Sequence, residues 1–319
     1  MNKTLRLIIG CALLQGAPTF AQESQTDTPA EQAKPSTYDE SADATEQIAA
    51  AVAKAKKENR RVLLQWGANW CSWCHLLHGM MEKNPDVSRK LMYEYDVVLV
   101  DVGSDGVKNR DLARKYDATL ASFPYLTILD SDGEVVVNSQ TEPFEVSGDK
   151  PGHDPARLVE FLTKHQADYL SAESVLNEGL AEAKQNNKRV FLHFGAPWCG
   201  WCHKLEDWMA KKEIAKVLAK DYVDVKIDID RTIGGKELLA RYRKGQEDQG
   251  SIPWTVILDP DGKPVVNSTG PDGNIGFPVT EQEVAYFKTM LEKSTRNITG
   301  EDRAMLIKSL EMKESTEGG

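Results

Sequence analysis

The sequence predicts an α/β protein built as two successive domains on one layered-sandwich plan. Three observations carry this expectation. The chain repeats itself at long spacing: Lys56, Asn59, Arg61, Val62, Leu64, Gly67, Ala68, Trp70, Cys71, Trp73, Cys74, His75, Leu77 and Met81 recur in the same order as Lys184, Asn187, Arg189, Val190, Leu192, Gly195, Ala196, Trp198, Cys199, Trp201, Cys202, His203, Leu205 and Met209. Within each copy, helical and strand periodicities alternate. Each copy also carries two apolar runs joined through an Asp-Gly, a hairpin signal. A period this long means two domains, since solenoid repeats run roughly 20–50 residues.

The elements follow in order. An amphipathic helix opens each copy, carried by Ile48, Val52 and Ala55 and then by Leu176, Leu180 and Ala183. A strand comes next, at 62–66 and 190–194, and a Gly-Ala turn leads into Trp-Cys-x-Trp-Cys-His and a second helix. The run 97–102 is almost wholly apolar, which predicts a strand buried on both faces. Val223, Val225, Ile227 and Ile229 alternate with polar residues, as on a strand buried on one face. The hairpins are 125–129 with 135–137 through Asp132-Gly133, and 254–258 with 264–266 through Asp261-Gly262. A last helix closes each copy, with Leu158, Leu162, His165 and Tyr169 in the first and Val284, Phe287 and Leu291 in the second. Thr280 and Glu283 form a capping box for the latter. Strand, helix, strand, hairpin and helix together make an α/β layered sandwich.

Residues 1–21 read as a secretory signal. Lys3 and Arg6 precede a short apolar stretch, and Thr19-Phe20-Ala21 offers a small-residue cleavage site. Cys11 within that stretch leaves lipid anchoring open as a minor alternative. Residues 22–43 are polar and poor in large apolar side chains, which predicts a flexible linker. The domains are then expected at 44–170 and 171–297, followed by a tail, 298–319, with a short helix. The expected address is periplasmic or extracellular, with no membrane span. The 319 residues hold 39 Lys+Arg against 49 Asp+Glu, for a net charge of −10. That balance argues against nucleic-acid or anionic-membrane partners, which need basic surface.

Beyond Cys11, the cysteines are Cys71, Cys74, Cys199 and Cys202, in two Cys-x-x-Cys pairs. A bridge over two intervening residues closes almost no loop and stabilises little, so the spacing suggests reversible redox work rather than stapling. Each first cysteine is expected where a strand gives way to a helix. Free amides and the helix dipole there favour a thiolate, the attacking species. Cys71 and Cys199 are the expected nucleophiles. Cys74 and Cys202, close to one helical turn further on, would resolve the mixed disulfide.

Trp70-Cys71-Ser72-Trp73-Cys74 and Trp198-Cys199-Gly200-Trp201-Cys202, with Phe123-Pro124 and Ile252-Pro253 downstream, resemble the thioredoxin active site. The subtype looks like the exported thioredoxin-like proteins with a Cys-x-Trp-Cys-His motif. The resemblance covers about 45–170 and 172–293. It implies a thioredoxin fold in each half, a three-layer α/β/α sandwich, and a thiol–disulfide oxidoreductase that needs no cofactor and no metal. Reductase is the preferred direction over isomerase or oxidase. It also implies a cis proline beside each cysteine pair that binds substrate backbone, a role that falls to Pro124 and Pro253. The substrate groove would run past Trp70 and Trp73 in the first half and Trp198 and Trp201 in the second. Partners would be exported proteins bearing thiols or disulfides, and an unidentified redox donor or acceptor.

Three departures stand out. Ser72-Trp73 and Gly200-Trp201 replace the family's common Gly-Pro. Gln65 and His193 stand where the family has a buried acid; Gln65 cannot titrate and His193 can, so the second site is expected to be better equipped for proton transfer. His75 and His203 lie four residues past the nucleophiles, on the same helical face, where an imidazolium would favour the thiolate. Two other readings stand beside this one. The two Cys-x-x-Cys-His motifs literally match c-type haem attachment, as in a dihaem electron carrier. Exposed aromatics, expected at Trp70, Trp73, Trp198, Trp201 and Trp254, would serve a non-catalytic binding or chaperone module.

Overall fold

A computed structural model describes residues 36–146, 148, 150–245 and 251–311. The expected signal with Cys11, most of the expected linker and the end of the tail lie outside these residues.

Asp43 accepts hydrogen bonds from the Thr45 and Glu46 amides at 2.8 and 3.2 Å, satisfying free N–H groups that would otherwise be orphaned, and so starts α1 (Ala44–Glu58). β1 (Arg61–Gly67) leads into α2 (Ser72–Lys83). The sequence pattern predicts one helix here, but Asn84 and Pro85 split it. The Asn84 side chain accepts from the Asp86 and Val87 amides, and Pro85 takes the first position of α3 (Pro85–Glu94), where a missing N–H costs nothing. β2 (Tyr95–Asp101), α4 (Arg110–Lys115), β3 (Tyr125–Leu129), β4 (Val135–Gln140), the short hairpin of β5 (Glu145–Val146) and β6 (Gly152–His153), and α5 (Pro155–His165) complete the first lobe. Its sheet runs in the order β2-β1-β3-β4, with β1 parallel to β2 and antiparallel to β3.

The second lobe repeats the plan. α6 (Ala172–Gln185), β7 (Arg189–Gly195), α7 (Gly200–Ala210), α8 (Lys212–Leu218), β8 (Tyr222–Asp228), α9 (Gly235–Tyr242), β9 (Trp254–Leu258) and β10 (Pro264–Asn267) give the sheet order β10-β9-β7-β8. The two-residue strands β11 (Thr269–Gly270) and β12 (Gly273–Asn274) precede α10 (Glu281–Ser294) and α11 (Gly300–Glu311). The capping box on Thr280 and Glu283 is present.

Side-chain alternation along the central strand sorts each lobe into three layers. In the first, Leu64 and Trp66 pack with Ile48 and Ala55 of α1, while Leu63 packs on the other face with Leu77, Leu91 and Leu162 of α2, α3 and α5. In the second, Leu192 and Phe194 meet Leu176 and Ala183, while Phe191 meets Leu205, Phe287 and Leu306. The protein is thus α/β, two three-layer sandwiches in tandem. Among the described residues, no helix is long and apolar enough to cross a membrane.

Four expectations need correction. The run 97–102 is not a strand buried on both faces: β2 is a sheet edge, and Val97 is 40% exposed while Val98 and Val100 pack under α1. The last helix of the first lobe ends at His165, and Tyr169 lies beyond it, its hydroxyl donating to Glu94 at 2.6 Å. The linker does not extend to residue 43, because Tyr38 is fully buried. The tail helix α11 belongs to the second lobe's core through Leu306 and Leu310, with the Trp208 indole donating to Ser309 at 2.8 Å.

One arginine ties the lobes together. Arg231, just past β8, meets the Glu94 carboxylate of α3 at 3.1 Å through two of its nitrogens and donates to the Glu58 and Asn59 carbonyls at 3.0 and 2.8 Å. Those carbonyls close the C-terminal end of α1, where the helix dipole is negative and favours a cation.

Candidate functional site

Each cysteine pair sits where the central strand runs out. After Gly67 the chain turns through Ala68 and Asn69, and Cys71 is still extended (φ −84°, ψ 101°) when α2 starts at Ser72. Cys71 is therefore the helix N-cap, and its sulfur accepts the Cys74 amide at 3.2 Å. Cys199 does the same for α7, accepting from Cys202 at 3.1 Å. Amide groups at a helix start have no intrahelical partner and favour negative charge, so a reduced sulfur at this position is biased toward the thiolate. Both pairs are closed as disulfides, with Sγ–Sγ distances of 2.13 and 2.02 Å. Cys71 and Cys199 are 6% and 5% exposed, whereas Cys74 and Cys202 are 0% and 1% exposed, so the first sulfur of each pair is the less deeply buried.

Each proline follows a residue packed against the cysteine pair of its lobe. The Phe123-Pro124 and Ile252-Pro253 peptide bonds are cis. Phe123 packs against the Cys71 and Cys74 cluster, and Ile252 packs against Cys199 and Cys202, its carbonyl oxygen 3.6 Å from Cys199 Sγ. Trp70 and Trp198 are more than half exposed, yet each indole N–H is tied at 2.8 Å to the loop after the parallel edge strand, Trp70 to the Gly103 carbonyl and Trp198 to the Asp230 carboxylate. Partial burial resists ionisation of Asp230, but hydrogen bonds from Trp198, Lys236 and Tyr93 outweigh it and hold that carboxyl below its usual range. Trp201 is exposed, with the Lys204 ammonium 4.6 Å from its ring centre. Trp73 is half-buried and lies perpendicular to the His153 ring, their centres 5.4 Å apart, whereas Trp254, expected to be exposed, is fully buried on the central sheet. His153 is buried, neither ring nitrogen is bonded among the described residues, and burial pulls its pKa down to about 4.

His75 and His203 brace the motif from the turn before it. His75 holds the Asn69 carbonyl at 2.8 Å with Nε2 and the Thr37 hydroxyl at 2.9 Å with Nδ1, and His203 Nε2 holds the Pro197 carbonyl at 2.8 Å. A ring nitrogen facing a carbonyl carries the proton. These bonds also tell against haem attachment, which needs the imidazole free as an axial ligand. Among the described residues there is no group of three or more His, Cys, Asp and Glu arranged to hold a metal.

The largest difference lies behind the inner sulfurs. In the first lobe Gln65 is fully buried and donates to the Tyr38 hydroxyl oxygen at 2.7 Å and to the Cys74 carbonyl at 3.3 Å. In the second lobe His193 turns to the edge strand, its Nε2 3.0 Å from Asp224. Burial resists ionisation of Asp224, but His193 and Lys57 together outweigh it and lower its pKa to about 2. The carboxylate near Cys202 is instead Glu206. A Cβ placed on Gly195 would meet Cys202 Sγ at 3.3 Å and Glu206 Oε1 at 3.8 Å, and Lys226 of β8 approaches the Glu206 carboxylate at 2.8 Å. Sequence reasoning missed both Glu206 and Tyr38. Glu206 was findable, four residues past Cys202 and so on its helical face. Tyr38 offered only one large aromatic in a polar stretch.

A family model described as "Thioredoxin-like domain" matches residues 48–142, and one described as "Protein of unknown function, DUF255" matches residues 156–314. Human spermatogenesis-associated protein 20 is 27% identical over 190 residues, 53% of this chain and 24% of that protein. Protein disulfide-isomerase 1 of Dictyostelium discoideum is 25% identical over 216 residues, 64% of this chain and 54% of that protein. The chain thus spans about a quarter to about half the length of these two relatives. Among solved structures, a disulphide isomerase from Xylella fastidiosa Temecula1 is 29% identical, with a TM-score of 0.34, and the match covers 40% of this chain and 95% of that one.

Proposed function

The chain belongs to the thioredoxin-like superfamily, and on that premise we propose that it is an exported thiol–disulfide oxidoreductase, working as a protein disulfide reductase at two sites. The observation that carries this reading is the placement of Cys71 and Cys199 as helix N-caps, each with a buried partner cysteine three residues on. In the reduced enzyme the Cys71 thiolate attacks one sulfur of a partner disulfide. The partner's other sulfur leaves as a thiolate and takes up a proton. Cys74 then gives up its proton and attacks Cys71 Sγ, which releases the second partner sulfur and closes Cys71–Cys74. Two electrons pass to the partner, and a dithiol-class reductant must return them. Cys199 and Cys202 run the same sequence, with Glu206 the group placed to take the Cys202 proton.

The prolines, with Trp70 and Trp198, would line the substrate groove, and the partners would be exported proteins with disulfides. Relatives that bear the name protein disulfide-isomerase support the exchange chemistry. The exposed Trp70, Trp198 and Trp201 favour a second reading, a binding module without turnover. Insulin reduction separates the two. The reductase reading expects turnover that falls in Cys71→Ser and in Cys199→Ser chains and vanishes when both are changed. The same rate in all four proteins, or none in the wild type, overturns it.

A further inference from the structure

We propose that the segment ahead of α1 is a working part of the first cysteine site: when the disulfide opens, the Tyr38 hydroxyl donates a hydrogen bond to Cys74 and stabilises its thiolate. The inference rests on the redox reading of the pair given above.

Resolution requires Cys74 to lose a proton while fully buried, and burial opposes a thiolate unless a donor compensates. Tyr38 is the side chain placed to do so. It is itself fully buried and clusters with Cys71 and Cys74. A Cβ added to Gly67 would lie 2.3 Å from Tyr38 Oη and 2.6 Å from Cys74 Sγ, so phenol and sulfur press on the same backbone carbon. Gln65 donates to the phenol oxygen, which directs the phenol's own proton away from that amide. Burial raises the phenol's pKa, so it stays a donor.

The segment is fastened to the motif itself. Asn69 Oδ1 accepts from the Thr37 and Tyr38 amides at 3.0 and 2.9 Å, and its Nδ2 donates to the Tyr38 carbonyl and the Glu40 carboxylate at 2.9 and 2.8 Å. Thr37 holds His75, and Lys108 donates to the Glu40 carbonyl at 2.6 Å. The second lobe has Pro197 at the place of Asn69 and so lacks this clasp. Three other titratable groups bear on the site. Asp101 of β2 acts on Tyr38 from a distance and is paired with Lys108 at 2.9 Å, and His75 sits on Cys74's own helix.

The test titrates the Cys74 thiolate by its ultraviolet absorbance in a Cys11→Ser, Cys71→Ser chain whose second pair stays closed. Adding Tyr38→Phe, which keeps the ring, is expected to lower the thiolate fraction about tenfold at a given pH below the midpoint, a one-unit rise in pKa. Gln65→Leu, which removes the amide that polarises the phenol, is expected to shift it the same way by less, and it stands in if the Phe chain does not fold. An unchanged Cys74 titration in the variant read overturns the inference. Redox cycling of the wild-type first pair in thiol–disulfide buffer is the separate check. Reversible opening with an unmoved titration sinks only the role of Tyr38, whereas a pair that never opens sinks the redox reading beneath it.

Discussion

The two lobes share strand order, helix placement and cysteine motif, and they differ in what stands against the inner sulfur. In the first, a neutral pair, Tyr38 and Gln65, occupies that space, and one member comes from chain ahead of the sandwich. In the second, a charged pair, Glu206 and Lys226, comes from the active-site helix and the edge strand. The sandwich therefore fixes where each sulfur couple sits, while different neighbouring elements set its proton environment. A neutral donor can stabilise an anion but cannot accept its proton, whereas a carboxylate can. The comparison thus predicts two sites of unequal pH response on one backbone plan.

The broadest way to break this picture is through the joint between the lobes. Arg231→Ala leaves Glu94 buried beside the Tyr169 hydroxyl without its cation, and such a loss costs about 3–5 kcal/mol. Denaturant unfolding is expected to show that drop, and a change under about 1 kcal/mol would make the joint incidental. Next comes Glu206→Gln, read in a chain whose first pair is replaced by serines. Exchange at the second pair is expected to slow about a hundredfold, the usual worth of a placed proton acceptor. The same change read at the first pair should do nothing.

A third test concerns the edge of the first site. Burial holds His153 near 4, below its ordinary 6.5, so the unfolded chain binds a proton there that the folded chain refuses. Stability from this group is complete above about 6.5 and is lost as pH falls toward about 4. His153→Phe is expected to flatten that part of the acid-unfolding curve, and an unchanged slope would count against it. The smallest effect is expected from His193→Gln. It removes one of the two partners of Asp224, leaving Lys57, and should cost about 1 kcal/mol of stability, with second-pair exchange unmoved. A slowed exchange would instead support the proton-transfer role that the sequence pattern suggests for this histidine.

What could be read before the structure, and what could not, follows from range. The repeat, the Asp-Gly hairpins, the Thr280 capping box and the position of each cysteine at a helix start are local patterns, and local patterns survive in sequence. The edge placement of β2 is not local: an apolar run says nothing about which strand will lie beside it, and Val97 was read as buried when it faces outward. Tyr38 was lost for the opposite reason. A polar segment with one aromatic reads as tether unless the pocket that receives the ring is known, and that pocket is formed by Gly67, Gln65 and Cys74. Arg231 was equally silent, because its partners, Glu58, Asn59 and Glu94, belong to the other lobe.

The most direct test equilibrates the whole protein in thiol–disulfide buffers of graded potential and reads the state of each pair by mass spectrometry of its own peptides. Both pairs are expected to open and close reversibly, at two distinct midpoints, with Glu206→Gln moving only the second. A pair that stays closed across the range, or two midpoints that coincide and shift together in that variant, contradicts the account.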